Sequence, residues 1–260
     1  MWSKPNGLPE SVTDRVRRAH EQWFHLVKQP RYFSALDEIR EPYDPATSKR
    51  YAAGYNPRTI DSQRLTVNTK LGDQLYDQNP LGKLPGSVWE IPSEPLIVPA
   101  ELGVDHFAAF PTAWPKRLIL GWSPSGICTE CGEGRMPVAT KHHERPAGDW
   151  NPQRAIENRP VSHARPSSEV TIDGYACACP KPTARTTPAV VLDPFGGTGT
   201  TALVARALGR IGISVDLSHD YCRLASWRTT DRAQLAKVLG RPKPPPVLPD
   251  QLDMFGEASA

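Results

Sequence analysis

The apolar run Ala189-Val190-Val191-Leu192 is short and β-branched, the pattern of a strand covered on both faces. It runs into Asp193-Pro194-Phe195 and then Gly196-Gly197-Thr198-Gly199, where glycines permit a tight turn and close approach of backbone to a ligand. Residues 201–208 read as a helix that opens at Thr200 and stops at Gly209. Ile211-Gly212-Ile213-Ser214-Val215-Asp216 follows as a second strand, ending in an acid about twenty residues past the glycine turn. The pattern predicts a βαβ unit whose helix start aims unpaired N–H groups at a carboxylate or phosphate. Further helices are expected over 221–228 and 230–239, with Cys222 an ordinary core residue of the first. Residues 44–85 are polar and lack helical periodicity, and residues 241–250 form a stiff proline-rich linker.

An acid closing the second strand suits the ribose hydroxyls of a nucleoside, which makes Asp216 the candidate ribose ligand. Two cofactor classes compete for the glycine turn. A dinucleotide would set its pyrophosphate there, where Asp193 repels it, whereas a sulfonium cofactor brings a cationic amino group. The glycines alone also fit a dehydrogenase turn or a plain strand–helix corner. Asp-Pro-Phe before the turn and Thr200-Thr201 after it favour S-adenosylmethionine.

Other segments point the same way. They are Trp2-Ser3-Lys4-Pro5-Asn6-Gly7-Leu8-Pro9-Glu10-Ser11-Val12-Thr13-Asp14-Arg15, His20-Glu21, Arg31-Tyr32-Phe33 and Ile39-Arg40-Glu41-Pro42. Ser87-Val88-Trp89-Glu90-Ile91-Pro92 and His106-Phe107-Ala108-Ala109-Phe110-Pro111 follow, the latter leading into Arg117-Leu118-Ile119-Leu120. Over residues 1–125 and 185–230 the chain resembles the DNA methylases that modify exocyclic amino groups of adenine or cytosine. The resemblance implies an α/β fold with a Rossmann-like, S-adenosylmethionine-dependent methyltransferase sheet, and double-stranded DNA as substrate. It implies a cofactor site of Asp193, Pro194, Phe195, Gly197, Gly199, Thr200, Thr201 and Asp216, walled opposite by Phe107, Phe110 and Pro111. Residues 1–126 and 185–240 would form the methyltransferase body, 127–184 an insertion and 241–260 a disordered tail.

The motif order resembles the beta arrangement of that family, in which the catalytic loop is encoded first. That loop is an Asp-, Asn- or Ser-Pro-Pro-aromatic tetrapeptide, and the chain contains none. Glu41-Pro42-Tyr43-Asp44 has a single proline, and Ser123-Pro124-Ser125-Gly126 lacks the aromatic residue. A nucleobase amino group is a poor nucleophile, so the base is flipped out and stacked while the loop accepts its hydrogens. Without the loop no catalytic residue can be assigned, and the sheet is expected to be incomplete. Either a separate upstream polypeptide supplies strand and loop or the chain is a degenerate or truncated form; the alternative function is a catalytically dead DNA-binding or scaffold remnant.

Inside the insertion, Cys128-Thr129-Glu130-Cys131 and Cys177-Ala178-Cys179 have the format of a zinc knuckle. Four thiolates could close a tetrahedral structural site and fasten a loop too polar to bury itself. Free thiols, a disulfide, or His142 or His143 replacing one cysteine are the alternatives.

Composition adds little: 38% hydrophobic and 23% charged residues in 260 allow one substantial core and a small appendage. The net charge is only +3, but Arg15, Arg17, Arg18, Lys28, Arg31, Lys49, Arg50, Arg58 and Arg64 crowd the first quarter. Such a cluster suits DNA phosphates, with residues 44–85 as candidate target-recognition segment. No apolar leader opens the chain and no run is long enough to cross a membrane, so a cytoplasmic location is expected. Gln251-Leu252-Asp253-Met254-Phe255 resembles the motif by which bacterial proteins dock on the DNA sliding clamp, with Gln251 as polar anchor and Leu252, Met254 and Phe255 as apolar contacts.

Overall fold

A computed structural model describes residues 1–7, 11, 13–46, 49, 79–104, 109–143, 168–181 and 184–245. In chain order its elements are β1 (Trp2–Ser3), β2 (His20–Glu21), β3 (Trp89–Glu90), α1 (Ala113–Trp122), β4 (Ile127–Cys128), β5 (Met136–His143) and β6 (Ser168–Ala176). There follow β7 (Thr186–Thr187), β8 (Val190–Asp193), α2 (Thr200–Ala207), β9 (Ile211–Ser214), α3 (His219–Thr230) and α4 (Arg232–Val238). The chain forms two compact units. One comprises Trp2–Gln22, Glu90–Ile119 and Pro188–Ala260; the other comprises Met1, Trp23–Trp89 and Leu120–Thr187.

The first unit is organised by a βαβ crossover. β8 and β9 are parallel, in register from Val190 opposite Ile211 to Asp193 opposite Ser214, and α2 connects them. Leu203, Val204 and Ala205 of α2 are fully buried in a cluster with Ile119 and Val238. Val191, Ala207, Leu208 and Leu235 pack against that cluster. α3 and α4 pack on α2 and on each other. Ser218 caps α3 by accepting the Tyr221 N–H at 3.3 Å, and Asp231 caps α4 by accepting the Gln234 N–H at 2.8 Å. Because Asp231 also closes α3, donating its own N–H to Trp227, the helix expected from residue 230 begins at Arg232. Elsewhere in this unit β1 pairs antiparallel with β2, and the Trp2 indole N–H donates to the Ile91 carbonyl at 2.7 Å.

Two sequence expectations need correction. The β8 strand is not covered on both faces: Val190 and Leu192 are 58% and 59% exposed, and their partners Ile211 and Ile213 48% and 43%. A single connecting helix shields one face, and α3 and α4 stack on that helix instead of crossing to the other side. Cys222 is also no core residue. The buried positions of α3 are Leu224, Ala225 and Arg228, which leaves Cys222 on the exposed side with its thiol 3.6 Å from the Asp216 carbonyl.

In the second unit β5 and β6 form an antiparallel ribbon, irregular between Val138 and Ala139, and β4 pairs with β7. Tyr175 of β6 donates its hydroxyl to Glu38 at 2.6 Å, in the 3-10 turn Leu36–Ile39. Ala35, Ile39, Trp89 and Cys128 are buried, and the Trp23 and Trp89 rings lie 4.8 Å apart. No helix among the described residues is long and apolar enough to cross a membrane.

Leu203 has no exposed surface and sits at the centre of the α2 cluster. Leu203→Ala is expected to cost about 2–5 kcal/mol, read as a lower urea midpoint with an unchanged denaturant slope.

Candidate functional site

The ends of β8 and β9 carry the two acids singled out above, and both brace the glycine turn. Asp193 accepts the Phe195 N–H at 3.1 Å through Oδ1 and the Thr201 hydroxyl at 2.6 Å through Oδ2. Asp216 accepts the Gly197 N–H and the Ser218 N–H, each at 2.8 Å, on different oxygens. Among the described residues each carboxylate oxygen thus has one partner and keeps a second lone pair for another. Gly199 lies in the left-handed region at φ 75°, and a Cβ there would come within 2.5 Å of the Ala225 Cβ; only glycine allows α3 so near. A Cβ added at Gly197, at φ 50°, would meet nothing within 4 Å among the described residues.

Sequence reasoning missed the residue that holds this turn from beneath. Arg228 is buried, and its Nη1 donates to the Thr198 carbonyl at 3.0 Å and to the Thr198 and Thr200 hydroxyls at 2.8 Å each. Its Nε is buried without a hydrogen-bond partner among the described residues. Burial pulls its pKa down, opposed by the Glu94 carboxylate. The available signal was an arginine at the i, i+1, i+4 positions of Leu224 and Ala225, where the apolar face of α3 should continue.

The other expected cofactor residues differ in exposure. Thr200 is buried, and Phe195 stands out at 88% exposure beside an exposed Pro194. Pro111 is buried, and Phe110 meets Trp114 edge-on at 5.6 Å. Phe110 lines a cavity of about 380 Å³ with Glu94, Arg228, Gln234 and Lys237; Asp193, Gly197 and Asp216 do not line it. Glu94 accepts from Lys237 at 2.6 Å and from the N–H and hydroxyl of Thr112 at 2.8 and 2.7 Å. Its burial favours the neutral acid, but these partners together hold its pKa below the ordinary carboxylate value. Phe107, most of residues 44–85 and the segment from Gln251 to Phe255 lie outside the described residues. Arg15, Arg17, Arg18, Lys28, Arg31 and Lys49 are exposed.

The four cysteines of the insertion come together. Their sulfurs all lie within 4.8 Å of one another, close to the roughly 3.8 Å edge of a tetrahedron with metal–sulfur bonds of about 2.3 Å. β4 delivers Cys128 into a tight turn in which the Gly132 N–H donates to the Cys128 carbonyl at 2.9 Å, with Gly132 at φ 72°. The Thr129 N–H and hydroxyl both bond the Arg185 carbonyl at 3.0 Å, closing the neck of the insertion. The amides of Cys131 and Glu130 point at the Cys128 sulfur and push its thiol down to about 6. At Cys131 the Glu133 amide acts in the same direction, but desolvation and the sulfurs of Cys177 and Cys128 outweigh it and push the thiol up to about 11. The amides around Cys128 therefore favour its thiolate, the ligand form of cysteine. These donors fit a structural zinc ion.

Comparison with known proteins places this chain in a family. A family described as DNA methylase matches residues 1–128 and 185–226, the glycine turn and Asp216 included. The chain belongs to the DNA methylase family. Type II methyltransferase M.SmaI of Serratia marcescens is 26% identical over 233 residues, 89% of this chain and 45% of that relative. Type II methyltransferase M.Cfr9I of Citrobacter freundii is 37% identical over 91 residues, 30% of each chain. Type II methyltransferase M.SfiI of Streptomyces fimbriatus is 49% identical over 43 residues, 16% of this chain and 10% of the relative. The chain spans less than half the length of these curated relatives. The family match stops at Cys128 and resumes at residue 185, so the four-cysteine insertion lies almost wholly outside it.

Arg228 supplies the only charged group bonded to the Thr198 carbonyl among the described residues. Arg228→Met is expected to cost about 1–3 kcal/mol, read in urea unfolding, because the buried carbonyl loses its donor. Amide hydrogen exchange should quicken first in the segment 196–200.

Proposed function

We propose that this chain is the cofactor-binding portion of a site-specific DNA methyltransferase, acting on an exocyclic amino group of adenine or cytosine. The observation that carries the reading is the glycine turn braced by Asp193 and Asp216 at the carboxyl ends of two adjacent parallel strands, where open α/β sheets bind ligands. S-adenosylmethionine, when bound, supplies an electrophilic methyl group. The chain's own residues bind and orient: the spare lone pairs of Asp193 suit a cationic amino group, those of Asp216 suit ribose hydroxyls, and the open side of Gly197 admits the ligand backbone-close. The remaining cofactor residues of the set, Pro194, Phe195, Gly199, Thr200, Thr201, Phe107, Phe110 and Pro111, would shape the surrounding walls. The exposed arginines and lysines of the first fifty residues would meet DNA phosphates.

The given sequence carries no Pro-Pro-aromatic loop to accept the hydrogens of the target amino group, so in this reading that loop comes from outside it. The competing reading is a scaffold that binds DNA without methylating it, favoured by the same missing tetrapeptide. Protection of DNA from restriction after co-expression with the product of the adjacent upstream reading frame separates the two. The four cysteines would hold a structural zinc that fastens the insertion.

Calorimetry with S-adenosylmethionine, using the full chain with that upstream product, should show saturable binding, weakened at least about tenfold, or about 1.4 kcal/mol, by Asp193→Ala. Equal affinity in wild type and variant would refute the assignment. The purified chain should carry about one equivalent of zinc by elemental analysis, and Cys128→Ser combined with Cys177→Ser should lose it. Retention of zinc by that double variant would assign the metal elsewhere.

A further inference from the structure

The cavity of about 380 Å³ lies wholly within the first unit and apart from the two acids of the glycine turn, since neither Asp193 nor Asp216 lines it. Its volume falls in the range of roughly 300–1,000 Å³ usual for ligand pockets. Part of its lining is apolar: Ile97 is 83% exposed, and the Phe110 ring is held edge-on against Trp114. The charged part sets four cations, Arg228, Lys237, Arg241 and Lys243, against the single carboxylate of Glu94. The lining is therefore net positive. Arg228 is its buried member, at 4% exposure. Its Nη1 is taken up by Thr198 and Thr200, while Nε has no hydrogen-bond partner among the described residues. Glu94 is the electrostatic counterpart of Arg228, but among the described residues its hydrogen bonds go to Lys237 and Thr112. A buried guanidinium with donors to spare is costly unless an anion comes to it.

We propose that this cavity binds a nucleotide, its phosphate received by Arg228, Lys237, Arg241 and Lys243 and its base by Phe110 and Ile97. Guanidinium groups match phosphate oxygens in a fork of parallel hydrogen bonds, and a phosphate carries enough charge to use a surplus of cations. A nucleobase brings a flat face that stacks on an aromatic ring whatever its sequence identity. S-adenosylmethionine is a poor occupant here, because its sulfonium and amino groups would add positive charge to a positive lining. A small inorganic anion would leave Ile97 and Phe110 unused. The phosphate has two sources of the same chemistry, the backbone of substrate DNA or a free nucleotide. Arg228 gives the site a connection: the side chain that would meet the phosphate also holds Thr198 and Thr200 of the glycine turn. Phe110 is the one residue shared with the aromatic wall of the cofactor set. The inference does not depend on where the cofactor binds.

The test titrates the full chain, without S-adenosylmethionine, with 2′-deoxyadenosine 5′-monophosphate and separately with a short fluorescent DNA duplex. Arg241→Ala combined with Lys243→Ala should weaken binding of at least one probe about tenfold. Both positions are exposed, so the variant should keep the far-ultraviolet circular dichroism of the wild type. Arg206→Ala removes an exposed cation of the same unit that does not line the cavity, and it should leave affinity unchanged. Displacement of the duplex by the mononucleotide would support a DNA backbone phosphate as the source. Mononucleotide binding that the duplex does not displace would support a free nucleotide. Phe110→Leu should weaken the mononucleotide and spare inorganic phosphate. Equal binding of both probes by wild type and the double variant would overturn the proposal. So would an equal loss in Arg206→Ala, which would reduce the effect to overall charge. Binding of 2′-deoxyadenosine as tight as that of its monophosphate would overturn the phosphate contact, and tighter binding of a polyglutamate peptide would give the cavity to an acidic protein instead.

Discussion

The βαβ unit depends on one constraint: a turn of small residues at the ends of two strands must be held open without side chains of its own to pack. Glycines lower the steric barrier to this shape but add no stabilising contact, and they lose the most backbone freedom on ordering. The holding groups come from outside the turn. Asp193 reaches forward to the Phe195 amide and the Thr201 hydroxyl, and Asp216 reaches back from the second strand to the Gly197 amide. Arg228 holds the underside through Thr198 and Thr200. Two anions and one cation thus fix backbone that can then approach a ligand closely.

The same economy would let the acids serve twice. A carboxylate spent on a backbone amide is usually counted as structural, yet each oxygen here takes one donor and can accept another. Bracing and ligand recognition need not compete. A carboxylate already oriented by a backbone amide gives up less conformational freedom when it meets a ligand, which is the usual advantage of preorganisation. The four-cysteine turn follows a parallel logic with softer atoms: amides aimed at the Cys128 sulfur favour thiolate and set its direction before any metal arrives.

How much of this was legible in the sequence depends on whether a feature is local. The strand, turn and helix from residue 189 to 208 were readable because β-branched residues, glycines and the helix start follow in unbroken order, and the structure departs from that reading by a residue at each end of α2. The cysteine pairs were readable as pairs because their spacing is local, although only the fold brings residue 128 within reach of residue 177. Features that depend on distant partners were not readable. Arg228 looks like any helical arginine until the turn lies under it, and Asp216 offered no sign that its first hydrogen bonds go to Gly197 and Ser218. Cys222 was misread because apolar residues are rare on α3 and the buried face turned out to include an arginine.

The error over the covered strand is the most instructive one. A run such as Val190-Val191-Leu192 records the surroundings in which the strand is meant to sit, and side chains on both faces are apolar because both faces are meant to be dry. The structure covers only the face toward α2. If the exposed row were an ordinary surface strand, polar residues should alternate with apolar ones there; instead Val190, Leu192, Ile211, Ile213 and Val215 continue without a charge. Scattered exposed apolar side chains need no explanation, but a contiguous row along two paired strands does. The mismatch between a two-sided sequence pattern and a one-sided structure is therefore itself evidence about what the sheet is built to meet. A surface built to bind DNA phosphates would have carried arginine or lysine along this row, whereas an apolar row suits contact with protein.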